Sequence, residues 1–157
     1  MTEKDIDERY MRMALDEARQ AFEKGEIPIG AVVVTRGRVI GRGHNLTETL
    51  TDVTAHAEML ALTAASNTTG GKYLPDCTLY VTVEPCTMCA GALGWSQIGR
   101  VVYGASDAKR GYFGGVMQRP DARRDGSNAL HPKTIVEGGI LAEECRELMV
   151  EFFKRLR

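Results

Sequence analysis

His56, Glu58, Cys86 and Cys89 are the residues of this 157-residue chain whose types and spacing suit a reaction. They lie in two short stretches, Thr54-Ala55-His56-Ala57-Glu58 and Pro85-Cys86-Thr87-Met88-Cys89. One imidazole and a Cys-x-x-Cys pair supply three ligands of the kinds Zn²⁺ prefers, and three protein ligands leave the fourth tetrahedral position open for water. An open position points to catalysis rather than scaffolding. Zinc held in this way lowers the pKa of its water from ~15.7 toward ~7, which makes a nucleophile available at neutral pH. Glu58, two residues after His56, is spaced to accept the water's proton and pass it to a leaving group.

Other readings of these residues are weaker. A Cys-x-x-Cys alone also fits a redox pair or half of a structural zinc cluster. A Cys₄ cluster needs a second pair, and Cys77 and Cys145 lie far apart, so each reads as a small buried hydrophobe. His44 and His131 stand outside any ligand-spaced pair and are not expected to close the site. Gly111-Tyr112-Phe113-Gly114-Gly115 has the glycines of a phosphate loop but lacks the Lys-Ser/Thr and the flanking strand and helix, so it reads as a flexible loop.

The elements that must position these groups follow from periodicity and turn signals. Residues 6–24 carry apolar positions at helical spacing (Tyr10, Met13, Ala14, Ala18, Ala21, Phe22) and end at Gly25. Residues 27–34 and 38–41 are branched, strand-like runs joined by Arg36-Gly37, a hairpin. Thr54 is the expected N-cap of a second helix reaching about Ser66, with His56 and Glu58 in its first turn. Residues 77–83 read as a central strand, 86–96 as a small, apolar helix started by Pro85, and 100–105 and 134–137 as further strands. Residues 106–133 read as long loops, and 141–156 as a last amphipathic helix. Strands alternating with helices imply an α/β fold, a three-layer α/β/α domain over residues 1–157. Both ligand groups then sit at helix N-termini, where free N–H groups and the positive dipole end favour thiolates.

Charge and composition set limits. The formal net charge is −1, but Lys and Arg number 9 against 13 Asp and Glu in residues 1–96, and 11 against 8 in residues 97–157. Positive charge therefore gathers toward the C-terminus. No run approaches the ~18 apolar residues of a membrane span, and the N-terminus lacks an apolar stretch behind a basic start. The cytosol is the expected compartment, with reduced cysteines.

His-Ala-Glu followed by Pro-Cys-x-x-Cys is the signature of zinc deaminases of nucleobases. Glu26-Ile27-Pro28-Ile29-Gly30-Ala31-Val32, Gly43-His44-Asn45-Leu46, Val83-Glu84-Pro85-Cys86, Asp107-Ala108-Lys109 and Phe152-Phe153-Lys154 extend the pattern over nearly the whole length. With these the chain resembles the cytidine deaminase superfamily and, within it, the branch of bacterial tRNA-specific adenosine deaminases. The resemblance implies a mixed five-stranded sheet, a homodimer, and conversion of adenosine to inosine at the first anticodon position of a tRNA anticodon stem-loop. It implies one Zn²⁺ per chain on His56, Cys86 and Cys89, with Glu58 moving protons. Asn45 and the backbone of Ala57 are expected to hydrogen-bond the base, Ile29 to pack on it, and Asp107 to lie near the nucleotide's backbone. The sequence departs from the family pattern between Gly111 and Asn128, where residues 118–125 read as a variable stretch. Lys154, Arg155 and Arg157, at the end of the last helix, are the expected phosphate contacts.

Two other functions share parts of this signature: a deaminase of a free base or nucleoside such as guanine, and a non-catalytic zinc module. Glu58 argues against the second, because a structural site has no use for a carboxylate beside an open metal position. The Asp107-Ala108-Lys109 block and the basic C-terminal half favour tRNA over a free base.

Overall fold

In the computed structural model, which describes residues 1–115, 117 and 128–156, nine elements follow one another. They are α1 (Glu3–Glu23), β1 (Gly30–Thr35), β2 (Arg38–His44), α2 (Ala57–Thr69), β3 (Thr78–Val83), α3 (Thr87–Ser96), β4 (Arg100–Ala105), β5 (Ile135–Gly138) and α4 (Ala142–Arg155). The strands form a mixed sheet in the order β2-β1-β3-β4-β5. β1 runs antiparallel to β2 and β3, whereas β3, β4 and β5 are parallel.

Branched, apolar strands bury both sheet faces, so the hydrophobic runs are continuous rather than alternating. Ala31, Val33, Leu79, Val81 and Val101 pack against Ala57, Ala61, Ala65 and Leu93 of α2 and α3. Val32, Val34, Tyr80 and Val102 pack on the other side against Tyr10, Met11, Ala14 and Leu15 of α1 and Cys145 of α4. The three-layer expectation holds. Among the described residues no helix is long and apolar enough to cross a membrane.

Several boundaries moved for local reasons. α1 begins at Glu3, earlier than expected, because Thr2 and Asp5 form a reciprocal capping box. β1 begins only at Gly30, since Ile27 to Ile29 closes a tight turn (Ile29 N–H to Ile27 O, 2.8 Å) before the ladder starts. Thr54 is not the cap of α2. Its N–H and hydroxyl both bond to Asp52 Oδ1, at 2.8 and 2.7 Å, and His56 takes the N-cap position. α2 then continues to Thr69, past the expected end. The variable residues 118–125 lie outside the described residues.

Arg100, at the start of β4, ties the sheet to α1. Its guanidinium donates to Asp7 Oδ1 and Oδ2 at 2.8 and 2.7 Å, and the Tyr80 hydroxyl also donates to Asp7 Oδ1 at 2.7 Å. Burial would raise the Asp7 pKa, but the bonds from Arg100 and Tyr80 outweigh it and hold the carboxyl below its ordinary 3.8. A depressed carboxyl stabilises the fold above the unfolded pKa and loses that contribution as pH falls through the lower folded value. Asp7→Asn should therefore cost about 3 kcal/mol at neutral pH, the low end for breaking a buried ion pair. Urea titrations of both proteins should show that gap shrinking only below pH 3.8; an equal gap well below that pH would contradict the role given to Asp7.

Candidate active site

Four strand ends meet at one edge of the sheet. Gly30, the first residue of β1, pairs with His44, the last of β2. Val83 at the end of β3 pairs with Ala105 at the end of β4. Ile29, Asn45, Glu84 and Ser106 are the next residues out, so the topology delivers all four to the same place. This is the carboxyl edge of the parallel strands, where open α/β sheets bind ligands. Helix α2 can start there because its backbone lies directly on two glycines of β2. A Cβ on Gly41 would stand 2.4 Å from Ala61 O, and one on Gly43 2.6 Å from Ala57 O.

The two helix starts carry the metal-type ligands. His56 is the N-cap of α2 and Cys86 the N-cap of α3, with Cys89 in the first turn of α3. His56 Nδ1 lies 3.7 Å from Cys86 Sγ and 3.5 Å from Cys89 Sγ. A tetrahedral zinc with Zn–S of ~2.3 Å and Zn–N of ~2.0 Å places nitrogen and sulfur about 3.5 Å apart, so the donor set fits the ion in both chemistry and spacing. The Cys89 thiol, bonded to Cys86, pulls the Cys86 pKa down to about 4, and His56 adds to this. The same contact, with burial, pushes the Cys89 pKa up. A divalent cation bound there would displace thiol protons.

Glu58 follows in the first turn of α2 and is only 4% exposed. Burial pushes its pKa up to about 7. A carboxyl poised there can both take and give a proton at neutral pH. Asn45 Oδ1 accepts the N–H of Ala57 at 2.9 Å, capping α2 from outside the helix. Ala57 is fully buried, and its amide is thereby engaged.

A cleft of about 770 Å³ opens on this centre. Ile29, Asn45, His56, Glu58, Cys86 and Asp107 all line it, so most of the sequence-identified residues converge. The phosphate set does not join them. Arg155 lies against Glu151 at 3.0 Å with its guanidinium over the Phe22 ring, Lys154 lines a separate groove along α4 with Arg146, and Arg157 is outside the described residues. The cations lining the cleft are Lys109, Arg110 and Arg146. His44 points its nitrogens at Glu17 (3.0 Å) and Lys24 (2.9 Å).

Two buried carboxylates that motif reading passed over brace the walls. Glu26, 1% exposed, accepts Thr49 N–H and hydroxyl at 2.7 and 2.6 Å and Glu48 N–H at 3.1 Å. Burial works against its charge, yet those bonds hold its pKa below the ordinary 4.5. Glu84, 4% exposed, accepts three N–H groups from the loop after β4. The sequence signal for Glu84 was a charge between a branched, mostly apolar strand and a metal-type cysteine, where solvent is scarce.

Residues 4–105 match the cytidine and deoxycytidylate deaminase zinc-binding region. The chain belongs to this deaminase family. The tRNA-specific adenosine deaminase of Bacillus subtilis (strain 168) is 46% identical over 151 residues, spanning 96% of this chain and 91% of that protein. A structure solved in work on A-to-I editing by tRNA:A34 deaminases at the wobble position superposes with a TM-score of 0.77 at 41% identity, covering 89% of this chain and 98% of that one. The guanine deaminase of Nitrosomonas europaea superposes with the same TM-score, 0.77, at 25% identity, covering 92% and 83%. The two superpose equally well and differ in identity, 41% against 25%.

Removing one sulfur tests the ligand set. Cys86→Ala and Cys89→Ala should each lose zinc on dialysis and melt at lower temperature, because the ion joins two helix starts. Full zinc content in either purified variant would refute the assignment.

Proposed function

We propose that the protein hydrolyses adenosine to inosine at the first anticodon position of tRNA, with one zinc per chain held by His56, Cys86 and Cys89. The observation that carries this reading is a cleft lined by Glu58, His56 and Cys86, with Cys89 clustered behind them, in a chain 46% identical to a tRNA-specific adenosine deaminase. The 25% identity to a guanine deaminase of equal TM-score makes the free base the weaker choice. A cytoplasmic site of action accords with this substrate.

Zinc, when bound, activates water for attack at neutral pH. Glu58 would accept a proton from a water in the cleft and deliver it to N1 of adenine as the water oxygen bonds to C6. Glu58 would then take the remaining proton from that oxygen and give it to the amino nitrogen, the C6–nitrogen bond would break, and ammonia would leave with C6 as a carbonyl. One water is consumed for each ammonia released. Asn45, anchored through Oδ1 to Ala57, has its amide NH₂ left to bond the base. Ile29 packs on the ring, and Asp107 stands by the nucleotide's backbone.

The target is a base already splayed in a loop, which costs least to unstack. Lys109, Arg110 and Arg146 are the cations at the cleft for the flanking phosphates. Lys154, which shares a groove with Arg146, extends that strip along α4, while Arg155 and Arg157 are assigned to it by sequence alone. A second copy of the chain would cover Trp95, 85% exposed, and Met88, 36% exposed, which lie on one face of α3 with Val53 beside Met88.

Ammonia release from a tRNA transcript, compared with release from free adenosine, adenine, guanine and cytidine, tests the substrate. Turnover of the transcript alone is expected, with inosine at the first anticodon position. Activity confined to free bases would overturn the proposal. Glu58→Ala should retain zinc and lose on the order of 10²–10⁴ in turnover; a variant within a few-fold of wild type would show that another group moves the proton.

A further inference from the structure

The glycine-rich stretch after β4 does cradle an anion, and the anion is part of the protein. The N–H of Asp107 donates to Glu84 Oε1 at 3.1 Å, and those of Phe113 and Gly114 donate to Oε2 at 2.8 and 2.9 Å. Successive backbone amides converging on one negative group form a nest of the kind that elsewhere takes phosphate. Here the carboxylate fills it. Such charge-assisted bonds are roughly twice as strong as neutral ones.

The chain passes directly over this carboxylate. A Cβ on Gly111 would stand 2.4 Å from Glu84 Cδ and 2.5 Å from Oε2, so no other residue fits there without displacing one of them. The turn is also stitched to the metal-ligand segment. Gly111 forms an isolated bridge with Cys86, and the Tyr112 N–H donates to Pro85 O at 2.9 Å. At the other end, Asp107 Oδ1 accepts the N–H groups of Lys109 and Arg110, each at 3.0 Å, which fixes the segment lining the cleft.

We propose that Glu84 is a positioning residue: its buried carboxylate gathers the 107–114 turn against the end of β3 and so sets the cleft wall that receives the substrate's backbone. This rests on the RNA-deaminase reading above. Glu84 is not a second proton shuttle, because both its oxygens are engaged by main-chain donors. Glu58 and Glu84 line one cleft and divide the work, one moving protons and the other holding a wall.

Glu84→Gln retains the shape and one acceptor oxygen, but sets an NH₂ against one of the donor amides. Gly111→Ala presses the turn off the carboxylate and leaves every charge in place. Both zinc-loaded variants should keep their zinc, and hydrogen exchange should speed about tenfold or more at Asp107, Phe113 or Gly114, the consequence of losing one bond to a charged group. Exchange at Leu79 and Val81 in β3 should stay unchanged. KM for an anticodon stem-loop should rise by a similar factor, with kcat within about twofold. Wild-type exchange and KM in both variants would overturn the proposal, as would lost zinc or a fall in kcat alone, which would make Glu84 a support of the metal segment or of the chemistry. Should the wild type fail to deaminate the stem-loop, the RNA reading falls, and the exchange pattern still decides whether Glu84 holds the turn.

Discussion

Everything at the site depends on two helices starting at one edge of one sheet. His56 reaches its place because α2 rests its backbone on Gly41 and Gly43, and Cys86 and Cys89 reach theirs because β3 runs straight into α3. Neither ligand group is near the other in sequence, yet the imidazole nitrogen ends 3.5 and 3.7 Å from the two sulfurs. A shift of α2 by the width of one methyl group would open that triangle beyond what a tetrahedral ion spans. The close seat of α2 on bare backbone is thus a requirement of the chemistry as much as of packing.

Two buried carboxylates, Glu58 and Glu84, line the cleft and a third, Glu26, lies behind Thr47 of its wall, and their surroundings separate their roles. Glu26 and Glu84 each accept main-chain N–H groups, and Glu26 a hydroxyl as well, which makes each a fixed anchor. Glu58 is as deeply buried but less well served, and desolvation leaves it near pH 7. In the reaction proposed above, it is environment, not residue type, that suits Glu58 to carry protons.

Local signals revealed the residues of the His/Cys/Cys cluster, the strands and the layer order, because these rest on residue type and on periodicities within a few positions. The strand run of β3 and the Pro-Cys-x-x-Cys that follows needed no long-range information. The cap of α2 did: Thr54 had the right chemistry, but Asp52 claimed its hydroxyl, and Asn45 supplied the bond to Ala57 from 12 residues upstream. Glu84 was opaque for the same reason, since its donors lie 23 to 30 residues downstream. Arg155 had the charge of a phosphate contact; its pairing with Glu151, four residues earlier on α4, is local, and only packing brings its guanidinium over Phe22.

Zinc-edge X-ray absorption on the metal-loaded protein addresses the convergence of these helix starts most directly. Two sulfur neighbours at ~2.3 Å with nitrogen or oxygen neighbours at ~2.0–2.1 Å are expected, one of the latter from imidazole and one exchangeable with solvent. A shell of four sulfurs, or one of oxygen and nitrogen alone, would contradict a catalytic centre built from His56, Cys86 and Cys89.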